Sequence, residues 1–135
     1  MNAATVESLA AATRAGSLPF PEIVARLLAE GVEYYVVDYR LLQLRFYGAE
    51  GGVVEAPLPI EGLPAVAPAF DLAGLRAAIL DSQTRGQKFV DFSRRAVAAG
   101  VQSYFAFLHG RRVTYLGRRG DQHVEWFPGA APTDA

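Results

Sequence analysis

The sequence predicts an α+β fold in which an α-α-β-β-β unit is written twice, giving an antiparallel sheet of about six strands with helices packed on one face. Two observations carry that expectation. Residues 16–59 align with residues 85–128 at a constant offset of 69 and without a gap. The offset pairs Phe20 with Phe89, Arg26 with Arg95, Gly31 with Gly100, Tyr35 with Tyr104, Gly48 with Gly117, Gly51 with Gly120 and Pro59 with Pro128. Self-similarity at one fixed period marks a repeated structural unit, and two copies are too few for a solenoid. Within each copy, the apolar pattern also passes from a helical period to a strand period. The 135 residues therefore read as a single domain of two repeats, 2–59 and 71–128, joined by a Pro/Ala-rich connector over 60–70.

Each element has a local cause. Asn2 can cap a first helix from Ala3 to about Arg14, its side-chain oxygen accepting an orphan amide of the first turn, and Gly16 ends that helix. Pro19-Phe20-Pro21 starts the second helix, since a proline in the first turn lacks an N–H that had no partner there. Phe20, Ile23, Val24, Leu27 and Leu28 then form one apolar stripe up to Gly31. Residues 32–39, VEYYVVDY, are β-branched and aromatic, and apolar on both faces, which suits a central strand either covered on both sides or exposed to a partner. Residues 41–48 alternate, with Leu42, Leu44 and Phe46 pointing one way and Gln43, Arg45 and Tyr47 the other. A Gly-rich turn follows, then an edge strand over 53–59 that proline closes. In the second copy Asp71 takes the place of Asn2 as a cap, and Leu72, Leu75 and Ile79 line the third helix. Phe89, Phe92, Ala96 and Val97 repeat the second stripe, and three further strands follow it. Short Gly turns make consecutive strands antiparallel neighbours. Whether the two meanders join into one sheet is left open, and the tail 129–135 is expected to fray.

Composition narrows the function classes. The chain is 51% hydrophobic and 20% charged, which fits a globular domain. No apolar run approaches the roughly 18 residues of a membrane helix, so no membrane partner is expected. The first residues lack a basic stretch followed by an apolar block, so no secretory signal is expected and a cytoplasmic location is the default. Without cysteine there are no disulfides, cysteine zinc sites or thiol nucleophiles. Residues 2–59 carry 4 Arg against 7 Asp and Glu, whereas residues 71–128 carry 9 Lys and Arg against 5 Asp and Glu. Such asymmetry can steer head-to-tail self-association or attract a small anionic ligand, and drift of surface residues between copies also produces it.

Candidate chemistry concentrates in the second copy. Asp121, His123 and Glu125 alternate, so one strand presents all three on one face, where two carboxylates could orient an imidazole as a general base. A solvated edge strand has the same pattern. His109 lies in the hairpin stretch LHGRR, and no histidine spacing supports a metal site, so neither metal nor cofactor is expected. Arg111, Arg112, Arg118 and Arg119 bracket one strand and could rim an anion, with Tyr104, Phe105 and Tyr115 nearby as stacking surfaces. The first copy has Leu42, Gln43, Ala49 and Glu50 in place of these arginines, so anion binding is not a property of the repeat, and nucleic-acid binding is not expected. No phosphate loop or nucleophile elbow occurs.

The stretches GVEYYVVDY, FYGAEGGVVEAPLP and GVQSYFAFLHGRRVTYLGRRGDQHVEWFP resemble the bacterial family called domain of unknown function 1398, some members of which are labelled phage envelope protein. The resemblance runs from about Ser8 to Pro128. Its most specific part is a tyrosine strand, a Gly-Arg hairpin and a final strand matched here by Gly120, Asp121, His123, Val124, Glu125, Phe127 and Pro128. It implies no particular activity, cofactor or catalytic residue. The sequence thus favours a soluble non-catalytic module that binds a ligand or a protein, or pairs as a homodimer, through an exposed sheet face bearing Tyr35, Tyr104 and Trp126. The alternatives are a small hydrolase- or isomerase-like enzyme built on His123, Asp121 and Glu125, and an anion or nucleic-acid binder built on the arginines.

Overall fold

The computed structural model describes residues 1–132. The first half runs α1 (Ala3–Ala15), α2 (Phe20–Ala29), β1 (Val32–Asp38), β2 (Gln43–Gly48) and β3 (Val53–Pro57). The second runs α3 (Leu72–Thr84), α4 (Phe89–Ala98), β4 (Val101–Phe107), β5 (Arg112–Gly117) and β6 (Gln122–Trp126). Two halves of the same element order follow one another, as a duplicated unit would. All six strands form one antiparallel sheet in the order β3-β2-β1-β4-β5-β6. The halves meet where β1 pairs with β4, and there Val36 lies opposite Phe105. Those two residues are counterparts at the offset of 69, so a pseudo-two-fold axis passes between them along the sheet normal.

The expected caps are in place. The Asn2 side chain accepts from the Thr5 amide at 3.0 Å, and that of Asp71 accepts from the Gly74 amide at 3.0 Å. Gly16 closes α1 in the left-handed conformation. The four helices cover one face of the sheet. Beneath them lie Tyr35, Val37, Leu44, Phe46, Tyr104 and Tyr115, packed against Leu9, Ile23, Leu27, Leu75 and Phe92 in one core. Each such side chain withdrawn from water contributes about 1.5–3 kcal/mol. The connector straps across the end of α4, where Ala67 donates to the Val97 carbonyl at 2.9 Å and Asp71 to the Ala99 carbonyl at 2.8 Å.

Some expectations need correction. Leu42 is not on the inner face of β2. It sits in the turn before that strand at φ 53°, and its counterpart Arg111 has φ 56°. The β1–β2 turn therefore needs no glycine. Asp38 holds it instead, its side chain accepting from the Arg40 and Leu41 amides, each at 2.9 Å. Leu72 is the first residue of α3 and stays 42% exposed; the buried stripe is Leu75, Ala78 and Ile79. Phe20 is not a core residue either, and meets Phe127 edge-to-face at 5.2 Å. Of the tail 129–135, residues 133–135 lie outside those described, and the Ala130 amide donates to the Phe127 carbonyl at 2.9 Å.

The halves differ at their edge strands. α1 rests on β3, whose inward residues Val54 and Ala56 are buried. α3 packs on α4 instead, and the inward residues of β6 are only half-buried. At the offset of 69 those residues, His123 and Glu125, replace Val54 and Ala56.

Candidate functional site

Each predicted site residue has a definite place. His123 and Glu125 do meet, with Nε2 3.0 Å from Oε1, and the imidazole stacks beside Tyr115 at 6.3 Å. Asp121 precedes β6 in the β5–β6 turn, where its backbone carbonyl accepts from the Gly117 amide at 2.7 Å. Two members of the trio are therefore paired, which can orient the imidazole, and the third is exposed beside them. His109 lies in the β4–β5 turn, at the opposite end of β5 from the turn that carries Asp121. Among the described residues no group of three or more His, Asp or Glu side chains could hold a metal ion.

The arginines do not form one rim. Arg111 and Arg112 stand where β5 begins, and Arg118 and Arg119 follow its last residue, so an extended strand about 20 Å long separates the pairs. Arg112 lies over the Trp126 ring at 4.3 Å. Arg118 donates to the Val66 carbonyl of the connector at 3.1 Å and, with Arg40, lines an open groove of about 430 Å³ between the β1–β2 turn and the connector.

Tyr35, Tyr104 and Tyr115 were expected at a ligand surface. They are core residues, 3–7% exposed, under the helices. Tyr104 packs on Tyr115 at 5.1 Å and on Tyr39 at 6.1 Å, and the Tyr39 hydroxyl shares a hydrogen bond of 2.8 Å with buried Ser93. Burial pushes all four phenols well above the ordinary tyrosine range. A repeated tyrosine here means a repeated core position.

Among the described residues no helix lies on the opposite face of the sheet, and strand alternation places different aromatics on it. Across the paired strands, Val53, Tyr47, Tyr34, Phe107, Arg112 and Trp126 form one continuous row, each residue directly opposite the next. Tyr34 stacks on Tyr47 at 4.6 Å with planes 11° apart, and lies 5.6 Å from Phe107. Arg112 over Trp126 completes the far end. The middle row, in the same strand order, reads Glu55, Arg45, Val36, Phe105, Thr114 and Val124. The third row reads Pro57, Gln43, Asp38, Ser103, Leu116 and Gln122. Phe105 joins the aromatic row at 5.9 Å from Phe107 and 6.3 Å from Tyr34. The rings stand on the sheet and use their faces on one another, so they present edges outward.

Sequence reasoning missed Tyr34, Tyr47 and Phe107. Their signal was available as period-two alternation opposite in phase to the core residues Tyr35, Phe46 and Ala106. The row itself was hidden, because it crosses both halves at positions that are not counterparts. No protein-family model matches the chain, and no curated protein matches it.

Proposed function

We propose that the chain works as a binding or self-associating module rather than a catalyst, and that its working surface is the helix-free face of the sheet. The aromatic row from Val53 to Trp126 is the observation that carries this reading. A contiguous belt of stacked rings beside Phe105, half in water and closing over the buried Val36, is the kind of surface that gains free energy by being covered. Aromatic and Arg side chains are also the residues that dominate macromolecular interfaces. Because the ring faces are engaged with one another, the belt suits a flat apolar partner better than bases, which need a free ring face to stack on.

The test is a comparison of the wild type with the Tyr34→Asp/Phe107→Asp double variant, first checked for native far-UV circular dichroism. Immobilised wild type should retain whatever the face binds, further copies of the chain included. The variant should lose at least about 30-fold in affinity, as hot-spot truncations do. Equal retention by both proteins would refute the reading.

A further inference from the structure

Resting on that reading, we infer that the partner of the open face is a second copy of this chain, sheet against sheet, related by a two-fold axis that runs parallel to the strands between β1 and β4. The helices of both copies then lie outermost, and the aromatic rows lie on each other.

Three features point to this occupant. The first is that edge-to-edge pairing is guarded. β3 ends at Pro57 with Pro59 beyond it, and β6 is followed by Pro128. Proline removes ladder donors, a device that keeps sheet edges from recruiting strands. The face is left as the larger complementary surface.

The second is area. Six strands about 4.8 Å apart and three rows about 6.8 Å apart give, with side-chain width, a footprint of about 600 Å² per copy. Two such faces bury about 1,200 Å², the lower end of a stable interface, and only if the whole face is used. A docked peptide or helix would cover a fraction of it.

The third is charge, which selects the axis. Two in-plane two-folds can bring the faces together. The one across the strands lays every strand on its own copy, placing Glu55 on Glu55 and Arg45 on Arg45, and sets the aromatic row on the polar one. The one along the strands lays β1–β3 of one copy over β4–β6 of the other. It places Tyr34 on Phe107, Val53 on Trp126 and Tyr47 on Arg112, and sets Phe105 over the position of the buried Val36, with no like charges directly opposed. It also sets the half whose face carries Asp38, Glu55 and Arg45 over the half whose face carries Arg112 alone. Packing two sheets with strand directions within about 30° of each other is the aligned sandwich arrangement.

The experiment uses the full chain, 14.6 kDa and free of cysteine. Sedimentation equilibrium should give about twice the chain mass, and Phe107→Asp should raise the dimer dissociation constant at least about 30-fold. Geometry is read with thiols placed at the exposed positions 55 and 124. A short bifunctional thiol reagent spanning the gap of about 10 Å between facing sheets should join the Glu55→Cys/Val124→Cys double variant into dimers. It should leave the two single variants monomeric in denaturing gels. Cross-linking of Glu55→Cys to itself would overturn the proposed axis, and a dimer indifferent to Phe107→Asp would overturn the interface. A monomeric wild type would overturn the second copy as occupant while leaving the open face as a binding surface, which the retention comparison decides separately.

Discussion

Gly31 and Gly100 are counterparts in the two halves, and the structure makes them a matched pair for measuring what the connector does. Both end a helix at positive φ, 80° and 94° respectively. Around Gly31 an added Cβ would meet nothing within 4 Å. At Gly100 it would overlap the Ala69 carbonyl oxygen and stand 3.0 Å from Phe70 Cα. Gly31→Ala therefore costs the left-handed penalty of about 1–2 kcal/mol, less a few tenths for the stiffer unfolded chain. Gly100→Ala costs the same and also lifts the connector off the end of α4. That strains the Ala67–Val97 and Asp71–Ala99 hydrogen bonds, each contributing about 0.5–1.5 kcal/mol. The expected gap between the variants is about 1–3 kcal/mol, with Gly100→Ala the less stable. Urea unfolding reads it directly, since at a slope of about 1–2 kcal/mol per M the midpoints should differ by about 1 M. Equal midpoints would refute the argument that the connector is clamped over Gly100.

Two further outcomes follow from the tyrosine core. Tyr35, Tyr39, Tyr104 and Tyr115 hold their protons in the fold to higher pH than the unfolded chain does, so the stability they share is complete below about pH 10 and is lost as pH rises above it. Each can remove up to about 1.4 kcal/mol per pH unit there, and an ultraviolet titration should show these four phenols ionising only with a cooperative loss of circular dichroism; their ionising in a protein that keeps its circular dichroism would contradict it. Ser93→Ala deprives the Tyr39 hydroxyl of its 2.8 Å partner in a buried site and should cost about 1–3 kcal/mol in thermal or urea unfolding, whereas a neutral effect would place water or another hydrogen-bonding partner there.

The helices and strands were legible because their causes are local. Asn2 and Asp71 cap from within a few residues, Gly16 stops a helix by its own backbone freedom, and the stripe from Ile23 to Leu27 needs no knowledge of the sheet. The likeness of the two halves was legible for the same reason, since core positions such as Tyr35 and Tyr104 keep their residue type at a fixed offset. That same logic misdirected the site. A conspicuous aromatic present in both halves is held there by the helices above it, so Tyr35, Tyr104 and Tyr115 belong to the core. Leu42 misled in a smaller way, because strand alternation gives no sign of where a hairpin begins its turn.

Tertiary structure decided the working face. Tyr47, Tyr34, Phe107, Arg112 and Trp126 come from five strands of both halves, and nothing along the chain relates them. They align only because β1 pairs antiparallel with β4 about Val36 and Phe105, which brings non-counterpart residues into one row. A change of register by one residue would turn the aromatics of one half to the helix side. The chain by itself determined which segments are helices and strands and which residues prefer burial, because those depend on neighbours a few positions away. Where the exposed aromatics gather depends on strand pairs many residues apart, which only the assembled sheet specifies.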